Sequence, residues 1–184
     1  MQKTELLQTM KQKAESVQAV VRFVKDTEEA FHYAADLTHK QGGKTVAAPG
    51  LESEDMNVLE GQCKSLGLQL LKKPMRKNLT EIHTAFTSAD WGIAETGTLV
   101  LDSASEDIRI ATMLAETHVA MVPASKIRTD IMSLEKELEN MQKFHSRYIA
   151  FITGPSRTGD IEMVLTTGVH GPQEVHILIM EEEE

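Results

Sequence analysis

His118-Val119-Ala120-Met121-Val122, stopped by Pro123, decides the fold. From Val119 onward its apolar residues do not alternate with polar ones, which is the pattern of a strand covered on both faces. Working outward, Thr45-Val46-Ala47-Ala48, ended by Pro49-Gly50, and Tyr148-Ile149-Ala150-Phe151-Ile152 share that texture. Leu68-Gln69-Leu70-Leu71 and Val175 to Met180 read as further strands, and Ile93-Ala94 with Leu99-Val100-Leu101 as a hairpin bent near Thr96-Gly97. Helical stretches lie between them. These are Glu54 to Leu66, closed by Gly67; Glu106 to Leu114; and Arg128 to Lys143, where Ile131, Leu134, Leu138 and Met141 keep a helical spacing. Strands alternating with helices predict a three-layer α/β fold, with a mostly parallel sheet between helices.

Further from that centre, residues up to about 40 read as helix. Leu6, Leu7, Met10, Val17, Val20, Val21 and Val24 recur at helical spacing, and Asp26-Thr27-Glu28-Glu29 starts a second helix stopped by Gly42-Gly43. Asn78 to Ala85 reads as a short helix or turn, and Thr158 to Thr167 as a short helix capped by Gly168. No repeat or linker interrupts the chain. The expectation is one domain over 1–184, made of a helical prefix (1–43), an α/β body (44–180) and a solvated acidic tail (181–184).

The 184 residues carry 19 basic and 28 acidic side chains, a formal charge of −9. Such a chain lacks the positive field that phosphate backbones require, so no nucleic-acid partner is expected. Aromatic residues make up 4%, which leaves the core to Leu, Val, Ile, Ala and the ten methionines. The lone cysteine, Cys63, rules out an internal disulfide and a four-cysteine zinc or iron–sulfur site on this chain, and it reads as a core residue. Met1 to Glu5 lacks the basic start and apolar run of a secretory signal, and no apolar stretch approaches the ~20 residues of a membrane span. A cytoplasmic protein is expected.

Two segments hold candidate chemistry. In Ala89-Asp90-Trp91-Gly92-Ile93-Ala94-Glu95-Thr96-Gly97-Thr98, a carboxylate and two hydroxyls flank a glycine at a bend. Turn chemistry accounts for Thr96, Gly97 and Thr98, whereas a turn between buried strands needs no glutamate at 95. In Gly154-Pro155-Ser156-Arg157-Thr158-Gly159-Asp160-Ile161-Glu162, a strand is expected to feed a helix start, where free N–H groups, Ser156, Arg157 and Thr158 suit an anion. Plain helix capping, with Asp160 and Glu162 complementing the dipole, explains the same residues. His170, in Val169-His170-Gly171-Pro172, is a loop histidine of the type suited to an acid, base or ligand role. His118 and the other histidines show no metal spacing, and no Gly-x-Ser-x-Gly, Gly-x-Gly-x-x-Gly or Walker pattern occurs.

Trp91-Gly92-Ile93-Ala94-Glu95-Thr96-Gly97-Thr98-Leu99-Val100-Leu101, Gly154-Pro155-Ser156-Arg157-Thr158-x-Asp160-Ile161-Glu162 and Gly168-Val169-His170-Gly171-Pro172, in this order and spacing, resemble the LUD-domain family of lactate-utilisation proteins, nearest to its protein C type. The resemblance implies a fold similar to the sugar-phosphate isomerase and CoA-transferase group. It implies a role in oxidising L-lactate to pyruvate beside two cysteine-rich iron–sulfur subunits. No cofactor is then expected on this chain, since the clusters belong to those partners; a homodimer stays open. On this reading Glu95 and His170 are the titratable pair, and Arg157 is the clamp for a small carboxylate. Thr96, Gly97, Thr98, Ser156, Thr158 and Asp160 complete the ligand contacts. Two alternatives stand beside it: a CoA-transferase-like or phosphosugar-handling enzyme using Glu95, and an assembly scaffold without a ligand site.

Overall fold

The computed structural model describes residues 3–142, 148–159, 165–167 and 170–182, with the backbone alone at 142, 158–159 and 165–167. The chain begins α1 (Lys3–Ser16), β1 (Val20–Val24), α2 (Thr27–Lys40), β2 (Thr45–Ala47), α3 (Ser53–Ser65) and β3 (Gln69–Leu71). It continues β4 (Thr84–Ser88), β5 (Trp91–Ile93), β6 (Thr98–Asp102), α4 (Glu106–Leu114), β7 (Thr117–Pro123) and β8 (Ile127–Arg128). It ends α5 (Glu135–Gln142), β9 (Ile149–Ile152), β10 (Arg157–Gly159), β11 (Leu165–Thr167) and β12 (Glu174–Met180).

A six-stranded sheet in the order β1-β12-β7-β4-β2-β3 pairs in parallel throughout. The mostly parallel sheet flanked by helices is therefore as the sequence predicts. Alternation along β7 assigns the faces. Val119 and Met121 point into a core with Phe31, Ala34 and Ala35 of α2 and Leu59 and Cys63 of α3. Ala120 and Val122 point the other way, onto Met10 and Ala14 of α1 and onto Leu99 and Leu101 of β6. That second face carries more than helices: a four-stranded sheet, β8-β5-β6-β9, lies over it beside α1. Among the described residues, no helix is long and apolar enough to cross a membrane.

Five local expectations change. The prefix is not helical throughout, because Val20–Val24 leaves α1 to become an edge strand on β12. Valine and phenylalanine at consecutive positions favour the pleated chain, since β-branched side chains are stiff against a helical turn. The exit is built by Gln18, at φ 70°, with its N–H donating to Glu15 O and that of Ala19 to Ala14 O, each 3.0 Å. Residues 84–88 form the internal strand β4 rather than a short helix or turn. Its threonines look polar in sequence but are satisfied inside, Thr84 Oγ1 lying 2.7 Å from Thr38 Oγ1 on α2. The late helix α5 starts at Glu135 rather than 128, after a short 3₁₀ turn. The strand at 149–152 joins the four-stranded sheet, antiparallel to β6, rather than the parallel one. Finally, 157–159 and 165–167 are antiparallel strands, not the ends of a helix; residues 160–164 and the expected cap Gly168 lie outside the described residues.

Candidate functional site

The Glu95 turn is the closing loop of an antiparallel hairpin. Ile93 of β5 faces Thr98 of β6, and Ala94–Gly97 joins them. Gly97 sits at φ +66°, and a Cβ there would strike the backbone of Ala14 and Lys13, so both conformation and contact demand glycine. Thr96 and Thr98 share a hydrogen bond of 2.7 Å, and Thr98 shares another of 2.8 Å with Thr153. Glu95 is pinned by its N–H, which donates to Thr129 O at 2.9 Å. Its carboxylate is exposed, with no partner among the described residues. The Trp91 ring beneath the hairpin is flanked by Lys126 Nζ at 4.4 Å and Arg128 Cζ at 4.6 Å from its centroid.

The second segment reaches the same end of that sheet. Ile152 of β9 lies opposite Leu99, so Thr153 emerges beside Thr98. Gly154 then turns at φ +74° against the Val17 carbonyl, where a Cβ would not fit. Arg157 Nη2 donates to that same carbonyl oxygen, just past the end of α1. A cation on the exposed carbonyls of a helix end is a favourable cap. The two bends thus share one edge, and both lean on α1. Because Arg157–Gly159 is a strand, no helix start faces a ligand there. Asp160 lies outside the described residues, and Thr158 is placed by its backbone alone.

A cavity of about 260 Å³ opens beside the same loop, and no described residue of α1 lines it. Thr153, Gly154, Ser156, His170 and Gly171 line it, together with apolar Ala150, Ile152, Met113 and Val175. The Ser156 N–H donates to Pro172 O at 2.9 Å, which clips the Gly154–Arg157 stretch to the His170–Pro172 stretch. His118 of β7 also lines the cavity, on the face that carries Ala120 and Val122. It is wholly buried, and its Nε2 lies 2.8 Å from Thr87 Oγ1 of β4. Its Nδ1 has no hydrogen-bond partner among the described residues. Burial pushes its pKa down to about 4, so the ring is neutral near pH 7. The structure therefore brings Ser156 and His170 together, whereas Glu95, Thr96, Gly97, Thr98 and Arg157 stay outside the cavity wall.

One other buried polar atom, Gln62 Oε1 on α3, has no partner among the described residues; the remaining polar clusters are paired. A larger depression of about 560 Å³ beside β3 is lined by Lys64, Lys72 and Lys77, but Glu60 already pairs with Lys64 at 3.0 Å and Lys72 at 3.6 Å. His176 is held by Tyr33 at 2.8 Å and Glu174 at 2.9 Å. Among the described residues no group of His, Cys, Asp and Glu could hold a metal ion. Sequence reasoning missed His118. The available signal was a histidine opening an otherwise apolar buried strand, but its partner Thr87 lay just beyond the Asn78 to Ala85 stretch read as a helix or turn.

The LUD domain family profile matches residues 7–180. Lactate utilization protein C 1 of Bacillus mycoides is 35% identical over 100 residues, 53% of this chain and 43% of that protein. Lactate utilization protein C of Geobacillus thermodenitrificans is 36% identical over 120 residues, 63% of this chain and 48% of that protein. An uncharacterized protein of Neisseria meningitidis serogroup B is 35% identical over 102 residues, 54% and 42% of the two chains. The chain thus spans about half the length of the curated relatives it matches. In three dimensions it is similar to the crystal structure of a DUF162-family protein from Deinococcus radiodurans, with a TM-score of 0.65 and 17% identity, covering 98% of this chain and 99% of that one. That likeness concerns the fold.

Proposed function

This chain belongs to the LUD-domain family, and we propose that it serves lactate utilisation as a cytoplasmic component without a redox centre, holding a small organic ligand in the groove between His118 and His170. One observation carries the ligand site. Two of the three sequence blocks that mark the family resemblance, Gly154–Ser156 and His170–Pro172, wall a single cavity and are tied together by the Ser156–Pro172 hydrogen bond. The relatives named Lactate utilization protein C support the metabolic setting.

Electron transfer belongs, on this reading, to cysteine-rich iron–sulfur partners. Cys63 is buried in α3, and burial together with the Glu60 charge pushes its thiol up to about 11, so it offers no thiolate to a cluster. His170, exposed at the mouth, stands beside the ligand as a further hydrogen-bonding side chain. Arg157 and the Glu95 turn hold the rim in place.

The test is genetic. A strain lacking the gene should fail on L-lactate and grow normally on glucose. The parent chain should restore growth, while a chain whose groove is filled by Ala150→Phe should not. Normal growth of the deletion strain on L-lactate would overturn the proposal.

A second reading draws on the exposed, unpartnered Glu95 carboxylate at its glycine turn: a CoA-transferase-like nucleophile. Incubation with acyl-CoA thioesters should then leave a hydroxylamine-sensitive adduct on Glu95; an unmodified mass removes that reading.

A further inference from the structure

The polar floor of the groove has an imbalance that identifies what fits it. His118 is wholly buried, and among the described residues it makes one hydrogen bond, to Thr87 Oγ1 at 2.8 Å. Thr87 is itself buried, and that bond is the one hydrogen bond shown for its side chain. The shared proton can sit on either atom, and the two arrangements are not equivalent. If Nε2–H donates to Thr87, the threonine hydrogen has no acceptor and the Nδ1 lone pair has no donor, leaving two buried groups unsatisfied. If the Thr87 hydroxyl donates to Nε2, the neutral ring carries its proton on Nδ1, and that N–H is the one group left over. A buried polar group without a partner is costly, and the second arrangement leaves fewer of them, so it is favoured. Thr87 does not line the cavity, whereas the His118 ring does; its Nδ1 is closed to solvent, so a ligand meets it by displacing side chains of the wall.

We infer that the groove receives its ligand by a carbonyl or carboxylate oxygen, which accepts a hydrogen bond from the Nδ1–H of a neutral His118. This rests on the reading above that the groove holds a ligand. The rest of the wall fits such a molecule: Ala150, Ile152 and Val175 suit a short apolar chain, and the Ser156 and Thr153 hydroxyls supply further polar contacts at the mouth. No Lys, Arg, Asp or Glu lines the cavity among the described residues, so an uncharged donor carries the recognition.

The test uses the whole chain with ¹⁵N-labelled histidine at pH 7. The ligand-free spectrum should show His118 as the Nδ1–H tautomer. Adding pyruvate should shift that resonance and slow exchange of its proton. Affinity should fall at least tenfold in His118→Phe and stay within about threefold in His118→Asn, whose side-chain N–H lies near the Nδ1 position. Isobutyrate keeps the carboxylate alone and methyl pyruvate keeps carbonyls without the charge, so whichever matches pyruvate identifies the accepted oxygen. A bare Nδ1, a ring unmoved by all three probes, or unchanged affinity in His118→Phe overturns the inference. Should the phenylalanine variant fail to fold, the tautomer and titration in the parent chain decide alone. A lactate growth defect combined with a bare Nδ1 removes this inference and leaves the proposed function; the protonated tautomer with pyruvate binding but no growth defect does the reverse.

Discussion

Toward α1, the loop at 153–157 meets backbone with backbone: Gly97 and Gly154 allow the approach, and Arg157 donates to the Val17 carbonyl. Toward β7, the same loop walls a cavity in which Ser156 and His170 stand over a buried histidine with an unpartnered Nδ1. The first flank uses residue types that look catalytic to hold three elements together. The second leaves polar capacity unspent inside the fold, where it is costly, and is therefore the better place to look for a ligand. Perturbing each flank separately sharpens the contrast.

The largest effect belongs to the packed flank. Gly97→Ala combines a left-handed backbone with a collision against Ala14, and should cost about 3 kcal/mol in urea unfolding. Loss of less than about 1 kcal/mol would mean that α1 does not seat on the hairpin as described.

Next comes the pH dependence of the other flank. The His118 pKa is lowered from 6.5 to about 4 by burial. Below pH 6.5 the unfolded chain takes up a proton that the folded chain refuses until about pH 4. Stability is thus fully present above pH 6.5 and drains as pH falls to 4, by roughly 3 kcal/mol at about 1.4 kcal/mol per tenfold change in proton affinity. His176, lowered by burial despite Glu174, acts in the same direction. Denaturation curves across that window should flatten in His118→Phe; an unchanged slope would contradict a wholly buried neutral ring.

Arg157→Ala should remove a helix-end cap worth about 1 kcal/mol and leave pyruvate affinity within twofold. A tenfold loss of affinity would return Arg157 to the carboxylate clamp that residue type alone suggests. Smallest of all, Glu95→Gln should change stability by less than about 0.5 kcal/mol, since the side chain is exposed and unpartnered.

The layered sheet was legible because β2, β7 and β12 are apolar on both parities, and the hairpin because Gly97 punctuates two apolar runs. What stayed hidden depended on partners distant in sequence. Thr84 reads as part of a short helix or turn, and Thr87 as part of no element, until Thr38 and His118 are seen to receive them. Val20–Val24 fits a helical spacing and becomes a strand because β12 offers it an edge. The Gly154–Arg157 segment was recognisable as special, but which of its flanks is packed follows from the position of α1, which no local pattern encodes.

Amide chemical shifts recorded with and without pyruvate locate the ligand. The largest changes should fall at Met113, Thr153, Gly154, Ser156, His170 and Gly171, around the cavity wall. Changes confined to Thr96, Gly97 and Arg157 on the α1 flank, with the cavity residues unmoved, would contradict that placement.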